Sequence, residues 1–266
     1  MKYAFIGAGN MAGAIIRGLM GAGMPASEMT VSDAARGKAE ALAGELPGLA
    51  AAESNESAAL CADIIIMAVK PDVLAEALRD VADAARGKLV VSIAAGRSLA
   101  FIESCLREGQ AAARVMPNVN ALVGQAMSAV CVNARVTAEQ KAAVLGIFSV
   151  VGRAVELDEK LMPAFVGLSG SAPAYVYMLI DAMALAGVRA GLPRRMAETA
   201  AAQAVLGSAQ TVLSSGLHPR QLSDMVCSPG GTTIEGVAAL IAGGYEAAIM
   251  AAVGAVAEKD RALSGR

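Results

Sequence analysis

Two short glycine-bearing stretches have the residue types to hold negative charge. Gly7-Ala8-Gly9-Asn10-Met11-Ala12 fits the pattern G-x-G-x-x-G/A, in which the first glycine allows a tight turn, the second admits a pyrophosphate to the backbone, and the small last residue lets helix pack on sheet. The helix that follows offers unpaired N–H groups and the positive end of its dipole to an anion. Near the other end, Cys227-Ser228-Pro229-Gly230-Gly231-Thr232-Thr233-Ile234-Glu235 reads as a flexible loop entering a second helix. Its hydroxyls, on Ser228, Thr232 and Thr233, suit a carboxylate and leave a donor for a reacting atom, although plain helix capping uses the same residue types. The first stretch predicts a dinucleotide, contacted by Ile6, Gly7, Ala8, Gly9, Asn10 and Met11.

Further positions belong with that cofactor. Asp33 lies 21 residues after Ala12, near the spacing of an acid that bonds a ribose 2′-hydroxyl, and this favours NADH. Arg36, at the next helix start, is placed to clamp a 2′-phosphate, and this favours NADPH. The two signals conflict, and both also read as a helix-capping Asp and a solvated Arg. Ala68-Val69-Lys70-Pro71 and Ala94-Ala95-Gly96 each follow an apolar run. In an open α/β sheet such turns border the ligand crevice, here its nicotinamide half.

The elements that must position these residues come in two textures. Lys2 to Gly7, Met29 to Asp33, Asp63 to Val69, Lys88 to Ser92 and Arg114 to Met116 read as strands alternating with helices (Asn10 to Ala22, Arg36 to Glu45, Asp72 to Ala84, Leu99 to Arg107). Met127 to Asn133 reads as an edge strand, then Thr137 to Val151 as a helix and Ala154 to Leu157 as a last strand. The fold class is therefore α/β, an N-terminal Rossmann doubly wound parallel sheet. From Glu159 onward only Ala-rich helical segments follow: Lys160 to Val166, Ala172 to Ala190, Arg194 to Ser214, Pro219 to Val226, Thr232 to Ala242 and Tyr245 to Leu263. The division predicted is 1–159, dinucleotide-binding, and 160–266, an all-α domain for substrate binding and dimerisation. Helices apolar all round need partners beyond one chain, which predicts a homo-oligomer.

Composition closes off other classes. The 266 residues carry a net charge of -2 with 3% aromatics, so neither a basic stripe nor stacking platforms for nucleic acid are present. One histidine, His218, rules out a multi-His metal site, and no metal is expected. Cys61, Cys105, Cys131 and Cys227 form no C-x-x-C pair and read as reduced, buried thiols. Mean hydropathy is high at +0.53, but about 60 alanines account for much of it. Charges interrupt the most apolar stretches, Glu246 in one and Asp181 and Arg189 in the other, so no membrane span is expected. With no basic-then-apolar leader, a cytoplasmic location is expected.

Taken with Gly167-Leu168-Ser169-Gly170-Ser171-Ala172-Pro173-Ala174-Tyr175, Ala68 to Pro71 and the opening Phe5 to Ala12, the Ser-Pro-Gly-Gly-x-Thr block resembles the pyrroline-5-carboxylate reductases along essentially the whole chain. That resemblance implies a Rossmann domain joined to a helical domain that intertwines two subunits, with dimers often assembling into decamers. It implies NADPH- or NADH-dependent reduction of 1-pyrroline-5-carboxylate to L-proline, the last step of proline synthesis. By the same resemblance, the substrate carboxylate falls to Ser228, Gly230 and the N–H groups of Gly231 and Thr232. Thr233 falls to the ring nitrogen as the catalytic residue, and Asn55 to the cofactor side, though as an N-cap it is equally explained. Ala172 stands where the family's string usually has glycine. The β-hydroxyacid dehydrogenases share the two-domain plan, but their catalytic lysine and asparagine positions fall here on Val176 and Ile180, which cannot polarise an alcohol or carbonyl. Reduction of another cyclic imine, and a non-catalytic dinucleotide sensor, are the alternatives.

Overall fold

The computed structural model describes residues 1–264. By internal contacts the chain forms two compact units, Met1–Ser171 with the tail from Ala255, and Ala172–Gly254.

The first unit is built on an eight-stranded sheet. Its strands are β1 (Tyr3–Ile6), β2 (Met29–Ser32), β3 (Ala50–Ala51), β4 (Ile64–Met67), β5 (Leu89–Ser92), β6 (Ala111–Met116), β7 (Ala126–Val132) and β8 (Gly152–Glu156), in spatial order β3-β2-β1-β4-β5-β6-β7-β8. Side chains alternate between two cores. Tyr3, Phe5, Ile64, Ile66, Leu89 and Val91 enter one, and Ala4, Ile6, Ile65, Met67 and Val90 the other. Strands buried on both faces need no polar alternate residue, which is why they appear as unbroken apolar runs. Helices α1 (Asn10–Gly21), α2 (Arg36–Glu45), α3 (Asn55–Leu60), α4 (Leu74–Val81), α5 (Leu99–Ser104) and α6 (Ala138–Ser149) connect the strands.

Several sequence expectations need correction. The sheet is mixed, because β6 and β7 run antiparallel; their link holds only a 3-10 turn, Val119–Val123, far shorter than a parallel crossover requires. β7 is interior, since β8 returns parallel beside it and takes the edge. β3 and α3 were not expected at all. β3 is two exposed residues, and α3 is closed by a Ser54–Ser57 capping box in place of the usual Ser-x-x-Glu. The expected helix Lys160 to Val166 is instead a 3-10 turn (Glu159–Leu161), the short α7 (Met162–Phe165) and a π-helical turn (Val166–Gly170).

A buried ion cluster fastens the tail within this unit. Arg114 on β6, its side chain 4% exposed, meets Glu159 at 3.1 Å and Asp260 at 3.5 Å. Glu159 also accepts the Leu99 N–H at 2.7 Å. Of the cysteines, Cys105 and Cys131 are buried as expected, whereas Cys61 is exposed and Cys227 half-buried.

The second unit holds α8 (Ala172–Arg189), α9 (Arg194–Ser215), α10 (Pro219–Val226), α11 (Thr232–Ala242) and the first half of α12 (Tyr245–Ser264). α8 and α9 pack closely where Gly187 admits Ala197, and Arg194 at the start of α9 ties the pair through Asp181 on α8 while also pairing with Glu198 on its own helix. Little else is covered. Pro173 and Ala184 are the buried residues of α8, and Ala197 and Ala201 those of α9, while Met178 and Met250 are each 74% exposed and Leu206 60%. An apolar surface of that extent is the mark of an interface. Among the described residues one run, Glu159–Arg189, is long and apolar enough to cross a membrane by length and composition alone, and the bent pair of α11 and α12 passes the same test taken together.

Candidate active site

The cofactor half is assembled where β1 and β2 end. Gly7 has φ +108, and a Cβ there would lie 2.5 Å from the Ala68 carbonyl oxygen, so only glycine fits between the ends of β1 and β4. Its N–H donates to the Ser32 carbonyl at 2.7 Å, and the Ala8 N–H donates to Asp33 Oδ2 at 2.9 Å. Those two bonds hold the loop against β2. α1 then begins at Gly9, which has no side chain to cap the helix. Its first turn therefore presents N–H groups to whatever lies outside, and the space beside Gly9 is open, since a Cβ added there would meet nothing within 4 Å. A cleft of about 250 Å³ runs past Ala8, Gly9, Asn10 and Gly13, with Arg17 and Lys38 on its rim. A cradle of free N–H groups with room for a diphosphate and cations beside it fits a dinucleotide.

The remaining cofactor residues fall around the same sheet edge with different duties. Ile6 is in the core, 1% exposed, and its carbonyl accepts the Ala68 N–H at 2.7 Å, so it serves as scaffold. Met11 is half-buried against the core, and Asn10 is exposed. Asn55 is not the N-cap, because Ser54 takes that position; it accepts from the Ser32 hydroxyl at 2.8 Å and donates to Asp80 at 3.0 Å. Arg36 is exposed and paired with Glu40 on its own helix.

At the ends of β4 and β5, Val69 and Pro71 are half-buried and Lys70 is exposed, while Ala94 is buried and Ala95 exposed. Sequence reasoning missed Arg97, which links the two turns: its Nε donates to the Pro71 carbonyl at 3.2 Å, and its guanidinium stacks 4.5 Å from the Phe101 ring. With Ala95, Gly96, Lys259 and Asp260 it lines a cavity of about 390 Å³. Asn118, buried past the end of β6, was also missed; it holds the π-helical turn by donating to the Ser169 carbonyl at 3.1 Å. A cation after Ala-Ala-Gly was visible in the sequence, but nothing there indicated a partner.

The second unit carries the other anion-ready helix mouth. Gly231 donates its N–H to the Ser228 carbonyl at 3.0 Å, closing a turn with Pro229 second and Gly230 third at φ +66, the geometry of a type II turn. A Cβ on Gly231 would sit 2.4 Å from Ser228 Oγ, so the hydroxyl lies against the backbone only because no side chain intervenes. This bond corrects one expectation: the Gly231 N–H is occupied, and the free donors are those of Thr232 and Thr233 in the first turn of α11. Gly231, as N-cap, again brings no side chain to quench them. His218, by contrast, caps α10 by accepting from the Arg220 N–H. Ser228, Gly230, Thr232 and Thr233 are exposed or nearly so.

A doubly wound sheet with this glycine turn, joined to helices whose own open mouth can seat a carboxylate, defines a nicotinamide-dependent oxidoreductase acting on a small anionic substrate. Residues 2–96 match the family profile described as "NADP oxidoreductase coenzyme F420-dependent", and residues 159–263 match "Pyrroline-5-carboxylate reductase dimerisation". The pyrroline-5-carboxylate reductase of Escherichia coli is 45% identical over 266 residues, covering 99% of this chain and 98% of that protein. Among solved structures, the enzyme from Coxiella burnetii aligns with TM-score 0.94 at 30% identity, over 99% of this chain and 98% of that one. The NADP-bound enzyme from Plasmodium falciparum aligns with TM-score 0.89 at 31% identity, with the same coverage. The chain belongs to the pyrroline-5-carboxylate reductase family. It is an oxidoreductase that reduces 1-pyrroline-5-carboxylate to L-proline with NADPH or NADH.

Proposed function

We propose that this reduction is run by the two helix mouths, the one at Gly9 for the dinucleotide and the one at Gly231 for the substrate carboxylate. The observation that carries the reading is that both helices start at glycines that cannot cap them, leaving N–H donors free. The nicotinamide, when bound, supplies hydride to the imine carbon. The Thr232 and Thr233 N–H groups and the Ser228 hydroxyl hold the carboxylate. The Thr233 hydroxyl bonds the ring nitrogen and fixes which face of the imine is presented. A threonine hydroxyl is a weak acid, so its contribution is positioning more than proton donation. Lys70, Pro71, Ala94, Ala95 and Gly96 border the nicotinamide, with Arg97 holding their two turns together.

The functional division follows the same lines, 1–159 for the cofactor and 160–266 for substrate and assembly. The uncovered apolar faces of α8, α9 and α12 support a homodimer, and further assembly to a decamer is part of the proposal. We place the enzyme in the cytoplasm as a soluble protein, with the apolar run Glu159–Arg189 covered by a second subunit and not by lipid; Asp181 within it is already paired with Arg194.

The test is steady-state turnover of pyrroline-5-carboxylate by the Thr233→Ala and Thr233→Ser variants. The alanine variant should lose about 10- to 100-fold in kcat, within the range of one lost transition-state hydrogen bond, with nucleotide affinity unchanged and serine restoring most of the rate. Equal activity in Thr233→Ala removes that residue from the site, and a six-membered cyclic imine reduced faster than the five-membered one would reassign the substrate.

A further inference from the structure

We infer that Asp33 sets nucleotide choice in this chain and favours NADH over NADPH. The inference rests on the dinucleotide reading of the Gly7–Ala12 loop, because a pyrophosphate seated on α1 brings the adenosine ribose to the end of β2. Asp33 stands there, just past Ser32, and its carboxylate is held from two sides. Oδ2 accepts the Ala8 N–H of the phosphate loop at 2.9 Å, and Oδ1 accepts the Ala35 N–H at 2.9 Å. A carboxylate tied to two backbone groups cannot swing away from a 2′-phosphate. It still has lone pairs to accept a bond from a ribose 2′-hydroxyl.

The same arrangement takes one donor away from a 2′-phosphate and leaves it the Arg36 and Gly37 N–H groups in the uncapped first turn of α2. The Ala35 N–H at the mouth of α2 is already spent on Asp33, and Ala34 and Ala35 bring no donor side chain. The nearby cations are less firmly placed. Arg36 is 64% exposed and bonded to Glu40 at 2.9 Å. Arg17 is paired with Glu45 at 2.6 Å, and Lys38 lies with Arg17 on the cleft beside Gly9, where the diphosphate sits. A fixed anion therefore opposes the extra phosphate, and against it stand only the two first-turn N–H groups of α2 and cations that are mobile and already paired.

Calorimetric titration of the purified protein with NAD⁺ and with NADP⁺, in low salt and without imine, tests this apart from turnover. NAD⁺ should bind at least about 10-fold more tightly. In Asp33→Ser, which removes the charge but keeps a short acceptor for the Ala8 N–H, NADP⁺ should gain about 10-fold and the preference should disappear. Circular dichroism checks that the variant is folded, and Asp33→Asn replaces it if it is not. NADP⁺ bound as tightly as NAD⁺ by the unaltered protein overturns the inference, as does a folded Asp33 variant with the original ratio. If neither nucleotide binds, the dinucleotide reading itself fails and this inference falls with it.

Discussion

Gly7 and Gly9 stand two residues apart in one loop, yet the structure gives them opposite sensitivities to a single added methyl group. In Gly7→Ala the new Cβ would lie 2.5 Å from the Ala68 carbonyl oxygen, a backbone atom that cannot move without disturbing β4, and the residue would sit at φ +108. The backbone strain alone costs about 1–3 kcal/mol, and with the clash a loss near 3 kcal/mol is expected. For a chain of this size that lowers Tm by about 6–12 °C. In Gly9→Ala, φ is -82 and the Cβ meets nothing within 4 Å. Reduced unfolded-chain entropy favours alanine by about 0.4–1 kcal/mol, a poorer N-cap costs a similar amount, and Tm should stay within about 3 °C of the unaltered protein. The methyl group nevertheless fills the space the diphosphate needs. Losing one charge-assisted hydrogen bond worth about 1.5–3 kcal/mol weakens dinucleotide binding by roughly 10- to 100-fold. Thermal melts and nucleotide titrations of the two variants, side by side, separate the effects. Undiminished binding by Gly9→Ala, or an unchanged Tm in Gly7→Ala, would refute the assignment of this loop.

Gly231→Ala should raise KM for the imine with little change in nucleotide affinity, because its Cβ would displace the Ser228 hydroxyl 2.4 Å away; initial-rate kinetics with each substrate varied will show it. Arg114→Met leaves Asp260 and Glu159 without their buried cation and should cost about 3–5 kcal/mol in urea unfolding, while Arg114→Met combined with Asp260→Leu should recover much of that loss. Burial, reinforced by the Glu159 charge, pushes the Cys131 thiol up to about 12. Its folded-state value is therefore above the unfolded one, so its contribution to stability is complete below about pH 9 and is lost as pH climbs from there toward 12. Urea unfolding as a function of pH should fall more steeply over that range for the unaltered protein than for Cys131→Val, and parallel curves would contradict this account.

The sequence carried those features whose cause is local. Continuous runs such as Ile64-Ile65-Ile66-Met67 had to be strands covered on both faces, and Gly7-Ala8-Gly9 had to be the turn from such a strand into a helix, since periodicity and glycine chemistry act over a few residues. The Ser-Pro-Gly-Gly turn ahead of α11 was legible for the same reason. Contacts between distant residues were not. That β6 turns back antiparallel to β7, that Arg114 meets Asp260 across 146 positions, and that Arg97 spans two turns depend on which strand ends the sheet places side by side. Spacing offered Asp33 and Arg36 as equal rivals for the ribose. The fold alone tied Asp33 to two backbone N–H groups while leaving Arg36 on the surface with Glu40. A residue's type sets which bonds it can make, and the packed chain determines which partners come within reach.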